Sequence, residues 1–214
     1  MRLLGTDISF PPVEEADEHG LLAIGGDLEP ARILEAYRCG IFPWYNEEDP
    51  ICWWSPDPRF VLFPEKLNVS KTMKQVINRK QFHFTINKAF NKVIHACATA
   101  KRKEAGGTWI HGEMEDAYIK LHERGFAISA EAWSGEELVG GLYGVRMGNL
   151  FFGESMFSLV SNASKFAFIK LVESLKREGL QLVDCQMYTP HLESLGAEMI
   201  SRKSFMKIIH DNIA

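Results

Sequence analysis

Several patterns that mark common enzyme classes are missing from this chain of 214 residues. The four cysteines, Cys39, Cys52, Cys97 and Cys185, form no CxxC pair, and no two histidines have HxxxH spacing. These absences exclude a zinc ribbon, a thioredoxin-type redox motif and a helical zinc site, and they favour reduced thiols in a cytoplasm. The phosphate-binding patterns GxxxxGK[ST] and GxGxxG and the nucleophile elbow GxSxG are missing too.

Long apolar runs are also missing. None approaches the 18 residues that a transmembrane helix needs. The start of the chain reaches Asp7 without an apolar stretch, so we expect no signal peptide. With 46% hydrophobic and 24% charged residues, the chain can bury a full core, and its length suits one domain or one domain plus a small lobe.

The net charge is only −4, but basic residues are concentrated in one segment. Residues 59–103 hold eleven Lys and Arg against one acid, Glu65, whereas both flanking segments are acidic. This pattern favours a binding surface for a polyanion such as nucleic acid, and the alternative is a solvated helical surface. The candidate contact residues are Lys71, Lys74, Arg79, Lys80, Lys88, Lys92, Lys101, Arg102 and Lys103.

Local patterns predict a small N-terminal lobe, residues 1–60, and a larger domain, residues 61–214. Residues 1–26 are predicted as loops, and a helix capped by Asp27, with Pro30 near its first turn, ends at Gly40. The prolines and tryptophans between Gly40 and Arg59 predict a rigid, ordered loop.

The larger domain is predicted to be α+β, with a central and mostly antiparallel sheet. Its meander, followed by a helix and a further strand, suits an acyltransferase-like (GNAT-type) fold. The predicted elements are strand 60–63, a helix from Ser70 to Arg79, strand 82–86, a helix from Asn87 to about Ala100, a loop at 106–110, helix 112–124, strands 126–133, 137–146 and 149–157, a helix from Asn162 or Ser164 to Lys176, strand 180–186, a short helix at 191–195, a stretch at 198–201 and helix 203–212.

Asp184-Cys185-Gln186 ends a predicted strand. Residues i and i+2 of a strand share a face, so we expect the side chains of Asp184 and Gln186 to touch. Two polar groups there indicate a site, although solvent-facing strand-end residues are the alternative. Cys185 should face away from both, which favours a buried structural thiol over a nucleophile paired with His191.

The strand 151–158 is aromatic and carries one acid, Glu154. This composition predicts either an apolar pocket with one polar anchor or an ordinary sheet with Glu154 on its wet face. Four tryptophans are predicted in loops, where they would stack on bases or pack between the lobes: Trp44, Trp53, Trp54 and Trp109. The turn at 159–165 contains no glycine, which argues against a pyrophosphate-binding loop for coenzyme A.

A series of short strings, in order along residues 10 to about 205, resembles the leucyl/phenylalanyl-tRNA–protein transferase family. The strings are Gly20–Leu28, Gly40–Trp44, Trp53–Arg59, Thr108–Ile110, Leu138–Gly144, Phe152–Ser158, Asn162–Lys165 and Asp184–Gln186. The resemblance implies a cytoplasmic enzyme that moves Leu or Phe, and less well Met, from aminoacyl-tRNA to proteins beginning with Arg or Lys. The products would be marked for N-end rule degradation. An aminoacyl ester is already activated, so we expect no cofactor and no metal.

The resemblance also implies roles for individual residues. Asp184 and Gln186 would form the catalytic pair, with Asp184 polarising Gln186, and the proton would go to Asp184 or to a ribose hydroxyl of the tRNA. Trp44 and Trp109 would flank the terminal adenine, and Glu154 would be the polar anchor of the side-chain pocket, whose apolar lining would be Leu142, Phe151, Met156, Phe168 and Leu171. A cationic acceptor would in addition need an acidic subsite, for which Glu131 and Glu154 are the two possibilities.

Two other functions compete with this one. An acyl-CoA-dependent N-acyltransferase fits the fold but not the glycine-free turn. A non-enzymatic RNA-binding module fits the basic segment and the tryptophans but leaves Asp184 and Gln186 without a purpose.

Overall fold

Two β-sheets organise the chain in the computed structural model, which describes residues 2–100 and 110–213. The smaller sheet has the strand order β1-β2-β4-β3, and helix α1 connects β2 to β3. The bounds are β1 Arg2–Leu4, β2 Leu21–Gly25, α1 Pro30–Arg38, β3 Phe42–Pro43 and β4 Cys52–Trp54. The prediction of loops is therefore wrong for these four strands, because two to five residues give too little alternation to be recognised.

The larger sheet has seven strands in the order β11-β5-β10-β9-β8-β7-β6. Neighbouring strands are antiparallel except β9 and β10, which are parallel. The bounds are β5 Arg59–Leu62, β6 His83–Ile86, β7 Ala127–Ser134, β8 Glu137–Met147, β9 Leu150–Ser158, β10 Leu182–Gln186 and β11 Glu198–Ile200.

Helices cover both faces of this sheet. On one face α2 and α5 close a core that contains Met73 and Phe168. On the other face α3 and α4 share a core with α1 and the C-terminal helix α7. The bounds are α2 Lys71–Asn78, α3 Phe90–Thr99, α4 Gly112–Glu123, α5 Ala163–Arg177, α6 Pro190–Glu193 and α7 Arg202–Asn212, with 3-10 turns at Val13–Glu15 and Pro64–Lys66.

The first turn of α5 lies directly on β8. A Cβ added to Gly140 would lie only 2.6 Å from the Cβ of Ala163, so the glycine permits this close approach. The contact brings the start of α5 beside the end of β9, where Ser158 Oγ accepts a hydrogen bond from the backbone N–H of Ser164. This end of the sheet is where a cavity opens.

Of the helix caps predicted at Ser70, Asp27 and Asn87, the first is confirmed and the other two are wrong. Ser70 caps α2 as predicted, since its hydroxyl accepts a hydrogen bond from the N–H of Met73. The predictions for Asp27 and Asn87 are wrong. Asp27 precedes the cap position of α1 and binds Arg32, and the Asn87 side chain accepts a hydrogen bond from the N–H of Ser129 instead of capping α3. Both polar groups found tertiary partners that a local pattern does not contain.

The α+β class and the mostly antiparallel central sheet are confirmed. The meander β7–β9, the crossover helix α5 and the parallel strand β10 have the predicted acyltransferase-type order. The division into lobes at residue 60 stays a prediction. In the described ranges, no helix is long and apolar enough to span a membrane.

Candidate active site

A cavity of about 630 Å³ opens where β9 and β10 end beside the first turns of α5. Its wall combines apolar side chains with a few polar groups, including Glu154, Asp184 and Gln186. The apolar wall includes Phe42, Leu142, Met156, Phe157 and Phe168. Such a composition suits an apolar ligand held by a small number of oriented polar contacts.

Asp184 is completely buried and paired with an arginine from the neighbouring strand. Arg59 Nε donates to Asp184 Oδ1 at 2.8 Å, and Nη2 donates to Oδ2 at 2.7 Å. The guanidinium carbon lies 4.7 Å from the ring centroid of Phe42 and 4.6 Å from that of Phe205. Sequence reasoning missed Arg59 as a site residue, although it ends the Trp53–Arg59 string.

Gln186 is held in a backbone conformation that is rare for its type. Its φ is 62°, in the left-handed region, which costs about 1 kcal/mol or more for a residue with a Cβ. The backbone N–H of Gln186 donates to Asp184 Oδ1 at 2.9 Å and stabilises this turn of the chain. The pairing register of β10 with β5 shifts between Asp184 and Gln186.

The predicted contact between the two side chains is therefore wrong. The Asp184 carboxylate binds Arg59 and the Gln186 backbone, whereas the Gln186 amide Nε2 donates to Glu154 Oε1 at 2.8 Å. The strand rule fails because the left-handed turn at Gln186 breaks the regular alternation of side chains.

Glu154, on β9, also lines the cavity and has two further hydrogen-bond partners. Tyr37 donates its hydroxyl to Oε1 at 2.6 Å, and Tyr118 donates to Oε2 at 2.9 Å. Burial raises the pKa of Glu154 to about 7; the two tyrosine hydroxyls and the Gln186 amide oppose this rise, and the charge of Asp184 adds to it. Of the two alternatives for Glu154, the wet face of an ordinary sheet is thus wrong, because Glu154 lines the mostly apolar cavity. Tyr37 and Tyr118 are site residues that sequence reasoning missed.

The predicted apolar pocket residues divide into two groups. Leu142, Met156 and Phe168 line the cavity, as does Trp44 at its rim. Phe151 and Leu171 do not, since they are 0% and 1% exposed within the core between α5 and the sheet. The cavity adjoins the first turns of α5, and both residues lie further from that end.

The tryptophans that were predicted in loops differ in position and exposure. Trp53 and Trp54 lie in β4 rather than in a loop; Trp53 is fully buried, and its Nε1 donates to the Gly25 carbonyl. Trp44 is 42% exposed and packs edge-on against Trp54, whose Nε1 donates to the Trp44 carbonyl. Trp109 lies outside the described residues.

Cys185 has the environment of a structural thiol. Burial, followed by the charge of Asp184, raises the pKa of the Cys185 thiol far above its usual range, so the thiolate is disfavoured. His191 also lines the cavity, and burial, with nearby Lys165, lowers its pKa. No hydrogen bond joins the two among the described contacts. Cys185 itself also lines the cavity, so its structural role stays a prediction.

The basic candidates flank the edge strand β6 along the chain and lie on both faces of the large sheet rather than on one helix face. Lys71 and Lys74 are on α2, Lys92 is on α3 on the opposite face, and Arg79, Lys80 and Lys88 flank β6. All six are exposed. Lys101, Arg102 and Lys103 lie outside the described residues. Three strand spacings, about 14 Å, separate β6 from β9 at the cavity.

Glu131 is not available as an acidic subsite. It is completely buried on β7, and its carboxylate accepts hydrogen bonds from Ser129 Oγ, Thr85 Oγ1 and the Ala89 N–H. Glu131 does not line the cavity. Across residues 2–100 and 110–213, no group of three or more His, Cys, Asp or Glu side chains could hold a metal ion.

The fold and the cavity define an α+β protein whose central sheet ends at a mostly apolar cavity with a few polar groups. Family models for leucyl/phenylalanyl-tRNA protein transferase and for its N-terminal domain match residues 61–210 and 26–57. The chain belongs to this family, as its sequence motifs predicted. It is accordingly an aminoacyltransferase that acts on proteins and takes the aminoacyl group from tRNA.

Curated relatives that bear the family name match along nearly the whole chain. The protein of Christiangramia forsetii is 54% identical over 211 residues, which cover 98% of this chain and all of the relative. The protein of Flavobacterium johnsoniae is 56% identical over 209 residues, covering 98% and 99%, and that of Pseudomonas aeruginosa is 54% identical over 202 residues, covering 94% and 89%.

Similarity to solved structures is weaker. The structure of L-PGS from Bacillus licheniformis has a TM-score of 0.44 at 14% identity, covering 88% of this chain and 65% of that one. A GCN5-related N-acetyltransferase from Kribbella flavida has a TM-score of 0.37 at 11% identity, covering 77% and 58%.

Proposed function

We propose that this protein transfers Leu or Phe, and less well Met, from aminoacyl-tRNA to the α-amino group of proteins that begin with Arg or Lys. The reaction takes place in the cytoplasm, and the new N-terminus marks the acceptor for N-end rule degradation. The observation that carries the proposal is an apolar cavity that ends on an oriented glutamine amide, in a chain of this family.

The chemistry is aminolysis of an ester and needs little activation. A peptide α-amine has a pKa near 8, so about a tenth of it is neutral at pH 7. The Gln186 Nε2 is tied to Glu154, which leaves Oε1 as the end of the amide that can accept a hydrogen bond from the amine. Gln186 then aims the amine lone pair at the ester carbonyl, an effect of orientation rather than of proton transfer.

Asp184 acts through the backbone in this proposal. Its carboxylate is committed to Arg59 and to the Gln186 N–H, and its side chain is 0% exposed. It fixes the left-handed turn that presents the Gln186 amide to the cavity. Asp184 is thus a positioning residue, and Gln186 is the group that touches the amine.

The two ends of the donor occupy different surfaces. Leu142, Met156 and Phe168 receive the Leu or Phe side chain, and an apolar pocket separates such similar groups by only about 1–3 kcal/mol per methylene. Trp44 at the rim stacks on the terminal adenine, together with Trp109. The exposed lysines and arginine around β6 contact the acceptor stem of the tRNA through its phosphates.

Transfer of labelled Phe from Phe-tRNA to peptides beginning with Arg or Lys tests the proposal. We expect transfer to both peptides, and none to the same peptides with an acetylated α-amine or with a Glu at the first position. Coenzyme A should neither bind nor inhibit. Absence of transfer to the Arg and Lys peptides, or acetyl transfer from acetyl-CoA to them, would contradict the proposal.

A further inference from the structure

Three oxygen-bearing side chains from three different elements form a closed ring beneath the cavity. Tyr37 Oη lies 2.6 Å from Tyr118 Oη and 2.6 Å from Glu154 Oε1, and Tyr118 Oη lies 2.9 Å from Glu154 Oε2. Tyr37 and Tyr118 are completely buried. All three contacts are short enough to be hydrogen bonds.

The number of hydrogen bonds that this ring can form depends on the protonation state of Glu154. Each tyrosine supplies one hydroxyl proton, so two tyrosines and an ionised Glu154 provide two protons for three contacts. One contact in the ring then joins two oxygens with no proton between them. A proton on Glu154 completes all three hydrogen bonds, so the ring accommodates both the ionised and the protonated form of this carboxyl group.

The groups around the ring act on Glu154 from every packed element. Tyr37 comes from α1, Tyr118 from α4, and Tyr143 from β8 packs edge-on against Tyr118. On β10, Gln186 donates to Glu154, and the negative Asp184 is held by Arg59 of β5.

Burial, together with these contacts, places the pKa of Glu154 at about 7, where a carboxylate can both accept and return a proton near neutral pH.

We propose that Glu154 accepts the proton that the acceptor amine loses as it attacks the aminoacyl ester, with Tyr37 and Tyr118 as the residues that position it. This inference rests on the proposed function. Glu154 lines the same cavity as Gln186 and hydrogen-bonds to its amide, so it lies next to the place where the amine would bind. Asp184 is excluded from this task because its charge is neutralised by the bidentate ion pair with Arg59 and its side chain is 0% exposed, whereas Glu154 is partly exposed and has no ion pair among the described contacts.

The step balances without any further reactant. The neutral amine attacks the ester carbonyl carbon, a C–N bond forms, and the carbonyl electron pair moves to its oxygen. The nitrogen then passes one proton to the Glu154 carboxylate. As the carbonyl re-forms, the bond to the ribose oxygen breaks, and that oxygen leaves with the bonding pair and takes the proton back from Glu154. Amine and ester become amide and ribose hydroxyl, and Glu154 ends as a carboxylate.

The pH dependence of kcat/KM for an Arg-initiated peptide tests this role. In the wild type, both the amine and Glu154 must lose a proton, so log kcat/KM should rise with a slope approaching two between pH 5.5 and 6.5. In Glu154→Gln only the amine titrates, so the slope should fall to one while kcat drops about 100-fold. Affinity for Phe-tRNA, measured by filter binding, should be unchanged.

The positioning role of the two tyrosines is tested by the pH at which log kcat/KM stops rising, that is, by the position of the acidic limb of the profile. Tyr37→Phe or Tyr118→Phe removes a hydrogen bond to the carboxylate, so the limb should move upward by about half a pH unit to one unit. The rate should recover above pH 8.5. Tyr45→Phe, a buried tyrosine outside the ring, should leave the profile unchanged.

Two results would overturn the inference: a slope of two retained in Glu154→Gln, or tyrosine variants that lose the same factor at every pH. Absence of transfer by the wild type would instead contradict the proposed function itself, so the two failures are distinguishable.

Discussion

Arg59 and Asp184 form a bidentate ion pair across the neighbouring strands β5 and β10, with both side chains no more than 1% exposed. The pair joins β5, the first strand of the large sheet along the chain, to the strand that carries Gln186. Phe42 and Phe205 enclose the guanidinium from both sides. The position of Gln186 therefore depends on residues from four separate parts of the chain.

Removing one partner of this pair should be more harmful than removing both. Arg59→Met leaves the Asp184 carboxylate buried without its cation, which should lower the free energy of unfolding by about 3–5 kcal/mol. Arg59→Met combined with Asp184→Asn should recover part of that loss. Urea denaturation of the two single variants and the double variant measures the coupling, and strictly additive losses would contradict it.

Much of the large sheet and of its helices could be predicted from local patterns. The β7–β9 hairpins follow turn residues, and both Gly135 and Gly148 adopt positive φ as such turns require. Helix α5 and strand β10 lie within a few residues of their predicted bounds. These elements are long enough for their periodicity to be distinct.

The partners within the site could not be predicted in this way. Arg59 and Asp184 are 125 positions apart, and Tyr37 and Glu154 are 117 apart, so only the fold brings each pair together. The strand alternation rule misplaced the Gln186 side chain because φ changes sign at that residue. The small sheet was missed because its strands are short.

The free energy of unfolding should depend on pH because of the raised pKa of Glu154. Burial raises its pKa to about 7 in the folded state, so between pH 5 and 7 the folded chain binds more protons at this site than the unfolded chain does. Stability therefore falls as the pH rises through this window. Relative to Glu154→Gln, the wild type should lose up to about 3 kcal/mol of unfolding free energy between pH 5 and 8. A constant difference between the two proteins would contradict the raised pKa.

The donor pocket should respond to a change in volume. Met156→Ala enlarges the cavity, so a Leu side chain should fill the cavity less well than a Phe side chain does. We expect the ratio of kcat/KM for Phe-tRNA over Leu-tRNA to rise about tenfold. Met199→Ala, on the edge strand β11 and away from the cavity, is the matched control and should leave the ratio unchanged. An equal response of both variants would remove Met156 from the pocket.

The basic residues around β6 should set the salt dependence of tRNA binding. Each lost phosphate contact lowers the slope of log Kd against log salt by about 0.7–0.9. Lys71→Ala with Lys74→Ala should therefore reduce the slope by about 1.4–1.8 and weaken the binding of all tRNAs alike. Lys203→Ala with Lys207→Ala, on α7, is the control with the same charge change. Unchanged slopes for the α2 pair would mean that the basic edge is only a solvated surface.

The most direct test of the account is the single-turnover rate of Phe transfer to an Arg-initiated peptide in Gln186→Ala, beside the wild type and Gln181→Ala. Gln181 is an exposed glutamine just before the same strand, with its amide on the Gly179 carbonyl, so its variant should transfer at the wild-type rate. Gln186→Ala should be slower by 100-fold or more with Phe-tRNA binding intact. An undiminished rate in Gln186→Ala would contradict the account and place the orientation of the amine elsewhere.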